Sequence, residues 1–377
     1  MFDIDAGRIY EMARSSYGAL QKKLFRSGRA LRPFSLMLVV TTYCNLSCEF
    51  CFLVTSKAVR SRRDEELSTD EWLSVVDQTP WWTVVTLTGG EPLLRPDFAE
   101  LFERVASKRL AHVITNGTPL TDEICELFIE SAHRGLRFSG LASVGISLEG
   151  GAERHDRIAG RQGAHDKTVA GIERLVSHRR AAGLSFPLID LKLVMSEANY
   201  DDILEIAPIV EEYRPDYLTV QAVTGIEYAC YAPNQGAETE YEIDDDLLRS
   251  LPPAVFSDES KYDAVLEQVR KLDAAIGKLD GTRLRYYPNV GPEEFTNHLF
   301  LRPRLANGFC MSPWTDLIIG PFGDACTCLV GTVGNVRDEK LKTLFNSEKF
   351  RAFRKRLREH DIFPACCGCC FFDSSGS

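Results

Sequence analysis

At 377 residues, 44% apolar and 26% charged, the chain can bury a sizeable core and has the make-up of one large globular domain or two. Its net charge of −10 argues against a bulk electrostatic grip on DNA or RNA, and no apolar run approaches the ~20 residues of a membrane span. Asp3 and Asp5 open an N-terminus without the basic-then-apolar pattern of a signal peptide, so a cytoplasmic location follows and clustered cysteines read as metal ligands before disulfides.

Residues 8–27 place apolar and basic positions at helical spacing and predict a leading amphipathic helix within an N-terminal extension, 1–35. Apolar, β-branched runs then recur at 36–41, 83–88, 111–115, 143–148, 188–194 and 217–223. Helical stretches lie between them near 69–79, 97–108, 121–133, 166–182 and 201–213, the first opened by a capping-box signature from Ser68 to Glu71. Strands alternating with helices imply a parallel sheet with crossover helices. Six such units fall short of a closed (β/α)8 barrel, and pattern alone leaves an open sheet and a partial barrel both standing. After this core, 36–224, residues 225–309 form a less regular connecting region with an acidic stretch at 238–246, Pro252-Pro253 and a helical pattern near 259–279. Seven of the 12 cysteines then fall between 310 and 370, which marks a second module over 310–377.

Cys44, Cys48 and Cys51 follow the first strand in a C-x3-C-x2-C run. Three thiolates this close can each hold one iron of a cubane cluster and leave the fourth iron without a protein ligand. An open iron is a place for chemistry, as an open position on zinc is. A zinc knuckle lacking its fourth ligand is the plain alternative. The second strand ends in Thr88-Gly89-Gly90-Glu91-Pro92, where two glycines permit close backbone approach. The third ends in Thr115-Asn116-Gly117 and the fourth in Ser147-Leu148-Glu149-Gly150. Active sites in β/α folds gather at these carboxyl ends.

The triplet spacing, the Asn after its first Cys, the aromatic before its third and the Gly-Gly-Glu turn resemble the radical S-adenosylmethionine (radical SAM) superfamily, over residues 36–223 or so. That resemblance implies an α/β fold with a partial (β/α)6 TIM-like barrel, a [4Fe–4S] cluster with an open iron, and SAM chelated there. It places Gly89, Gly90, Glu91, Asn116, Ser147 and Glu149 at SAM. Glu91 is then expected to accept from the SAM ammonium and Ser147 to contact its carboxylate. His155-Asp156-Arg157-Ile158-Ala159-Gly160 resembles a His-Asp-x-x-Arg-Gly segment of the family, with Ala159 at the usual Arg position and Arg157 or Arg161 as substitutes. His155 is read as ordering its loop, while Lys192, Asn199 and Gln221 fit family positions only loosely.

Cys310, then Gly323 and Cys328 in a C-x12-G-x4-C spacing, resemble the opening of the SPASM and twitch modules of that superfamily. The resemblance implies one auxiliary [4Fe–4S] cluster held by Cys310, Cys328 and a closing pair, Cys366/Cys369 or Cys367/Cys370, with the Pro-x-Cys context favouring the former. Cys326 stands two residues from Cys328, so on a strand it would share that face and can serve instead. A zinc site made from the same thiolates is the other reading. Cys230, after the sixth strand, is the candidate hydrogen-atom donor should the enzyme be an epimerase.

The expected function is a radical SAM enzyme acting on a small molecule, foremost a dehydrogenase that oxidises a secondary alcohol of an aminocyclitol or aminoglycoside intermediate, with the auxiliary cluster as electron acceptor. A reducing partner such as flavodoxin or ferredoxin is implied, and neither nucleic acid nor membrane. Peptide modification is the runner-up, epimerisation the third reading and a non-enzymatic iron–sulfur or zinc scaffold the last.

Overall fold

The structure is a computed structural model that describes residues 6–51, 62–135, 137–223, 251, 254–301, 308–328, 331–369 and 373–374. Seven strands run parallel in chain order: β1 Ser35–Val39, β2 Val84–Thr88, β3 Leu110–Thr115, β4 Gly140–Ser147, β5 Leu188–Met195, β6 Tyr217–Ala222 and β7 Arg283–Tyr287. After the short β8, Gly308–Phe309, strand β9, Asp316–Ile319, adds to the other side of β1, also parallel. The strands β10, Asp324–Thr327, and β11, Gly331–Asn335, continue the sheet antiparallel, and β12, Asp373–Ser374, pairs with β8. The C-terminal cysteine module therefore shares one sheet with the partial barrel, in the order β11-β10-β9-β1 and on to β7.

Alternation along each strand explains the two faces. Leu36 and Leu38, Val85 and Leu87, Val144 and Ile146, and Leu191 and Leu193 join the main core beneath the helices. Phe98, Phe102 and Phe128 close that core from two helices, Phe98–Lys108 and Asp122–Glu130, with ring centroids 5.1–6.4 Å apart; burying each ring contributes ~1.5–3 kcal/mol. Ser68 caps helix Thr69–Asp77 in a full capping box with Glu71.

The pattern reading misses β7, because Arg283-Leu-Arg-Tyr-Tyr does not look like a buried strand. Arg285 is on the inner face, where Asp190 and Thr219 take it up. It also misses helix Ala152–Ala159, a short polar segment built on His155 to Ala159. The leading helix, Ala6–Leu24, has a positional job. Its Arg14 pairs with Asp316 at the start of β9, and its Glu11 accepts from the Tyr287 hydroxyl of β7 at 3.2 Å. It thus ties one edge of the sheet to the module on the far side of β1. Among the described residues no helix is long and apolar enough to cross a membrane.

Candidate active site

Cys44, Cys48 and Cys51 lie half-buried on the loop leaving β1, and all three are free thiols. Backbone hydrogen bonds hold this loop from two sides. On one, the amides of Gly90 and Glu91 donate to the carbonyls of Thr41 (2.8 Å) and Tyr43 (2.7 Å). Gly89 adopts φ +148°, and a Cβ on Gly90 would collide with the Tyr43 carbonyl, so the glycines serve contact between the two loops. On the other, Ser47 and Glu49 donate to the carbonyls of Ala159 (2.9 Å) and Ile158 (3.1 Å). Gly160, at φ +62°, leaves room for Ser47. Ala159 packs with Leu46, and Cys44 and Cys48 rest against them, so the position is filled by apolar contact. Arg161 donates to the Asn45 carbonyl at 2.8 Å, while Arg157 reaches the Ala198 carbonyl at 2.8 Å. Both guanidiniums bind backbone carbonyls, Arg161 in the cysteine loop itself.

Glu91 also has a structural part in the site. Its carboxylate is fully buried and accepts from Leu93 N (3.1 Å), Thr115 Oγ1 (2.8 Å) and Asn116 N (2.7 Å). Two of these bonds fall on Oε1 and one on Oε2, so Glu91 ties the β2 loop to the β3 loop and positions Asn116. Burial pushes its carboxyl up to about 7 against these three donors. Asn116 turns towards the triplet, donating to Asn45 Oδ1 at 2.9 Å and to Cys44 Sγ at 3.8 Å. Thr115, named in the sequence only as the start of the Asn-Gly turn, joins Glu91 to this loop together with the Asn116 amide.

Glu149 is buried, accepts from Val194 N at 2.8 Å, and its carboxyl is pushed up to about 8 by burial. Its amide donates to His155 Nδ1 (3.1 Å) and its carbonyl accepts from Asn199 Nδ2 (3.0 Å), so His155 and Asn199 order this loop. Burial lowers His155 to about 4, which keeps it neutral. Cys48 is raised to about 12 by burial, then by Glu149, Cys51 and Cys44, which places all four groups within electrostatic reach. Ser147 ends β4 beside Lys192, its register partner.

The C-terminal thiols gather separately. Cys310, Cys366 and Cys369 are each less than a tenth exposed, and Cys328 is half-buried. Burial, then Cys328, Cys369 and Cys366, hold the Cys310 thiol well above its ordinary value. Cys367 is raised to about 11 by burial, then by Cys366, and is not among the thiols that act on Cys310. The shared-face expectation for Cys326 fails. Cys326 packs inside with Val39 and Ile318, against Met37 and Cys51, whereas Cys328 packs on the main core. The cause is local: β10 ends at Thr327 and Cys328 takes φ +42°, so the two-residue alternation no longer applies. Cys230 and Cys370 lie outside the described residues.

Both thiol sets fit a cubane in donor chemistry, the first with three cysteines and the second with four. Among the described residues no three His, Cys, Asp or Glu side chains close on a single ion; a cubane spreads its thiolates over separate irons.

Residues 38–208 match the radical SAM superfamily and residues 310–370 match SPASM, an iron–sulfur cluster-binding domain. The chain is 32% identical over 195 residues to the sporulation killing factor maturation protein SkfB of Bacillus subtilis, covering 50% of this chain and 43% of that protein. It is 31% identical over 202 residues to the PqqA peptide cyclase of Rhizobium meliloti, covering 51% and 48%. The matches thus span about half the length of these relatives or less. The structure of Streptococcus suis SuiB bound to precursor peptide SuiA shares the fold, with TM-score 0.58 and 16% identity over 90% of this chain and 70% of that one.

Proposed function

We propose that this enzyme, a member of the radical SAM superfamily with a C-terminal SPASM iron–sulfur domain, acts on a peptide. The observation that supports the substrate class is the likeness, above 30% identity, to the sporulation killing factor maturation protein and to the PqqA peptide cyclase. It favours peptide modification over the oxidation of an aminocyclitol alcohol, first expected from the resemblance to twitch-type enzymes. When bound, the first cluster and SAM supply a 5′-deoxyadenosyl radical that takes a hydrogen atom from substrate.

On this reading Cys44, Cys48 and Cys51 hold the SAM-binding cluster, and Cys310, Cys328, Cys366 and Cys369 hold an auxiliary one. Glu91 fixes Asn116 against the triplet through Thr115 and two backbone amides. Glu149, its carboxyl pushed up to about 8 by burial, borders Cys48. Gly89 and Gly90 lock the cysteine loop to the end of β2. The sheet shared by β9 and β1 places the auxiliary thiols on the same rigid support as the barrel. A small reductant protein, flavodoxin or ferredoxin in type, is the proposed electron source.

Anaerobic incubation with dithionite and SAM tests the reading when two substrate pools are compared, short peptides and aminocyclitols. The peptide pool is expected to raise 5′-deoxyadenosine and to yield a peptide of altered mass. Stimulation by the aminocyclitol pool alone, with a product lighter by a pair of hydrogens, would return the assignment to a dehydrogenase.

A further inference from the structure

Ser147, Lys192, Thr219 and Arg285 are direct register partners across β4 to β7 and share the inner face of the barrel. One alternation earlier on β5, Asp190 is buried beneath them. Its Oδ1 accepts from Thr219 Oγ1 at 2.6 Å, and its Oδ2 accepts from Lys192 Nζ at 2.8 Å and Arg285 Nη2 at 2.9 Å. Arg285 Nε also donates to Thr219 Oγ1 at 3.2 Å, and the guanidinium lies 3.9 Å over the Tyr217 ring. On β4, Gly145 clears the path of the lysine stem, since a Cβ there would collide with Lys192 Cε. The cluster is built: each member has a fixed place, and a glycine is spent to admit one of them.

Among the described residues Asp190 is the one carboxylate that hydrogen-bonds both cations. The neighbouring His112 is neutral, lowered to about 3 by burial and then by Lys192. Glu11, the next carboxylate towards the leading helix, acts on Arg285 at longer range and spends its hydrogen bonds on Tyr287 and Arg14. Lys192 and Arg285 keep 17% and 25% of their side chains exposed, so both still face the interior space. Two partly enclosed cations on one bonded carboxylate repel one another, and an incoming anion relieves that cost. The row begins at Ser147, two residues before Glu149 and Cys48 beyond it, so a group anchored on it sits at the cysteine-loop end of the barrel.

We propose that this row is a substrate subsite that binds a carboxylate, an acidic side chain or a chain terminus, through Lys192 and Arg285, with Asp190 and Thr219 holding both cations in place. It rests on the reading above that the barrel interior receives the substrate. With Asp190 bonded to both cations and Glu11 also acting on Arg285, a monoanion suits the row better than a phosphate monoester at −1.5 to −2. Arg285 supplies the planar fork suited to a carboxylate and Lys192 a point charge.

The test uses the holoenzyme with SAM and three probes: N-acetylglutamate amide, its isostere N-acetylglutamine amide, and N-acetyl-O-phosphoserine amide. The acidic probe is expected to bind roughly 10- to 100-fold tighter than the neutral one, as for a charge-assisted hydrogen bond. That preference should collapse in Lys192→Gln and in Arg285→Gln and return in part in Arg285→Lys. Iron content reports whether each variant has kept its fold. Equal binding of acidic and neutral probes by the wild type overturns the proposal, as does tightest binding of the phosphorylated probe. Loss of SAM affinity in the same variants, with the probe preference kept, assigns the row to the carboxylate of SAM and also overturns it. Cleavage of SAM by the wild type is measured separately, so failure of the radical SAM reading is told apart from failure of the subsite.

Discussion

The loop after β1 leaves Cys44, Cys48 and Cys51 half-buried, whereas Cys310, Cys366 and Cys369 are enclosed, the first two as members of the main core. The first set is positioned by backbone hydrogen bonds from two neighbouring loops, the second by packing and by the short turn Pro364–Gly368. The difference follows what each site has to admit. A cluster that takes SAM and substrate must sit where a second molecule can reach it, so its loop is held from behind. A cluster with four thiolates needs no further ligand and can be enclosed, and enclosure is one of the levers on its potential.

The largest expected effect comes from emptying one site at a time. Replacing Cys44, Cys48 and Cys51 together with Ala should abolish 5′-deoxyadenosine formation and leave about four irons per reconstituted chain. Replacing Cys310, Cys328, Cys366 and Cys369 should also leave about four irons, and should lower thermal stability more, because buried groups leave the core. Iron analysis and thermal unfolding of the two proteins read this directly. Complete loss of iron in both would show that the two sites form one cooperative unit.

The strand ends and the cysteine triplet are legible in the sequence because strand alternation, glycine pairs and close thiols carry local signals. The barrel core follows from apolar runs such as Val84–Thr88 and Leu188–Met195. Strand β7 is not legible, since Arg285 is stabilised by Asp190 from 95 residues away, and no local pattern announces that pairing. The structural part of Glu91 is hidden for the same reason: it accepts from Thr115 and Asn116 at the end of the next strand. Cys326 and Cys328 read as equivalent in a strand pattern, and only the left-handed backbone at Cys328 separates them.

A smaller effect concerns the loop lock at Glu91. Replacement by Ala would leave three donors without their acceptor, at a cost of ~1–3 kcal/mol for each one left buried and unmet. The carboxyl itself titrates against stability in the opposite sense to a salt-bridged acid. Its folded value of about 7 lies above the ordinary 4.5, so the folded state keeps its proton longer than the unfolded chain. Its contribution is full below pH 4.5 and is lost as pH rises to about 7, with a slope of up to ~1.4 kcal/mol per pH unit. In the metal-free protein, unfolding followed across this window should show that fall, and Glu91→Gln should flatten it. A wild type and a Gln variant with the same pH profile would mean that Glu91 is ionised throughout.

The smallest effect is at the surface between the two regions. Arg337, just after β11, donates from Nε to Glu71 Oε1 at 2.6 Å, and Glu71 also receives the Ser68 amide at 2.8 Å in the capping box. Arg337 is the main cause that lowers the Glu71 carboxyl to about 2. The two side chains are 41% and 37% exposed, so solvent screening reduces the pair to ~0.2–1 kcal/mol. Because the folded value lies below 4.5, this contribution is present above that pH and is lost as pH falls to about 2. Arg337→Ala should therefore cost ~0.2–1 kcal/mol at neutral pH, less in high salt. Glu71→Ala should cost more, since it also opens the helix cap, where an N-cap change alone is worth ~1 kcal/mol. The union of the C-terminal module with the barrel is held instead by β9 on β1, whose paired residues Leu36, Leu38, Leu317 and Ile319 are all fully buried. Denaturant titration of the single and double variants decides the order. A loss above ~2 kcal/mol for Arg337→Ala, beyond what an exposed pair supplies, would mean that the ion pair carries the junction and the shared sheet does not.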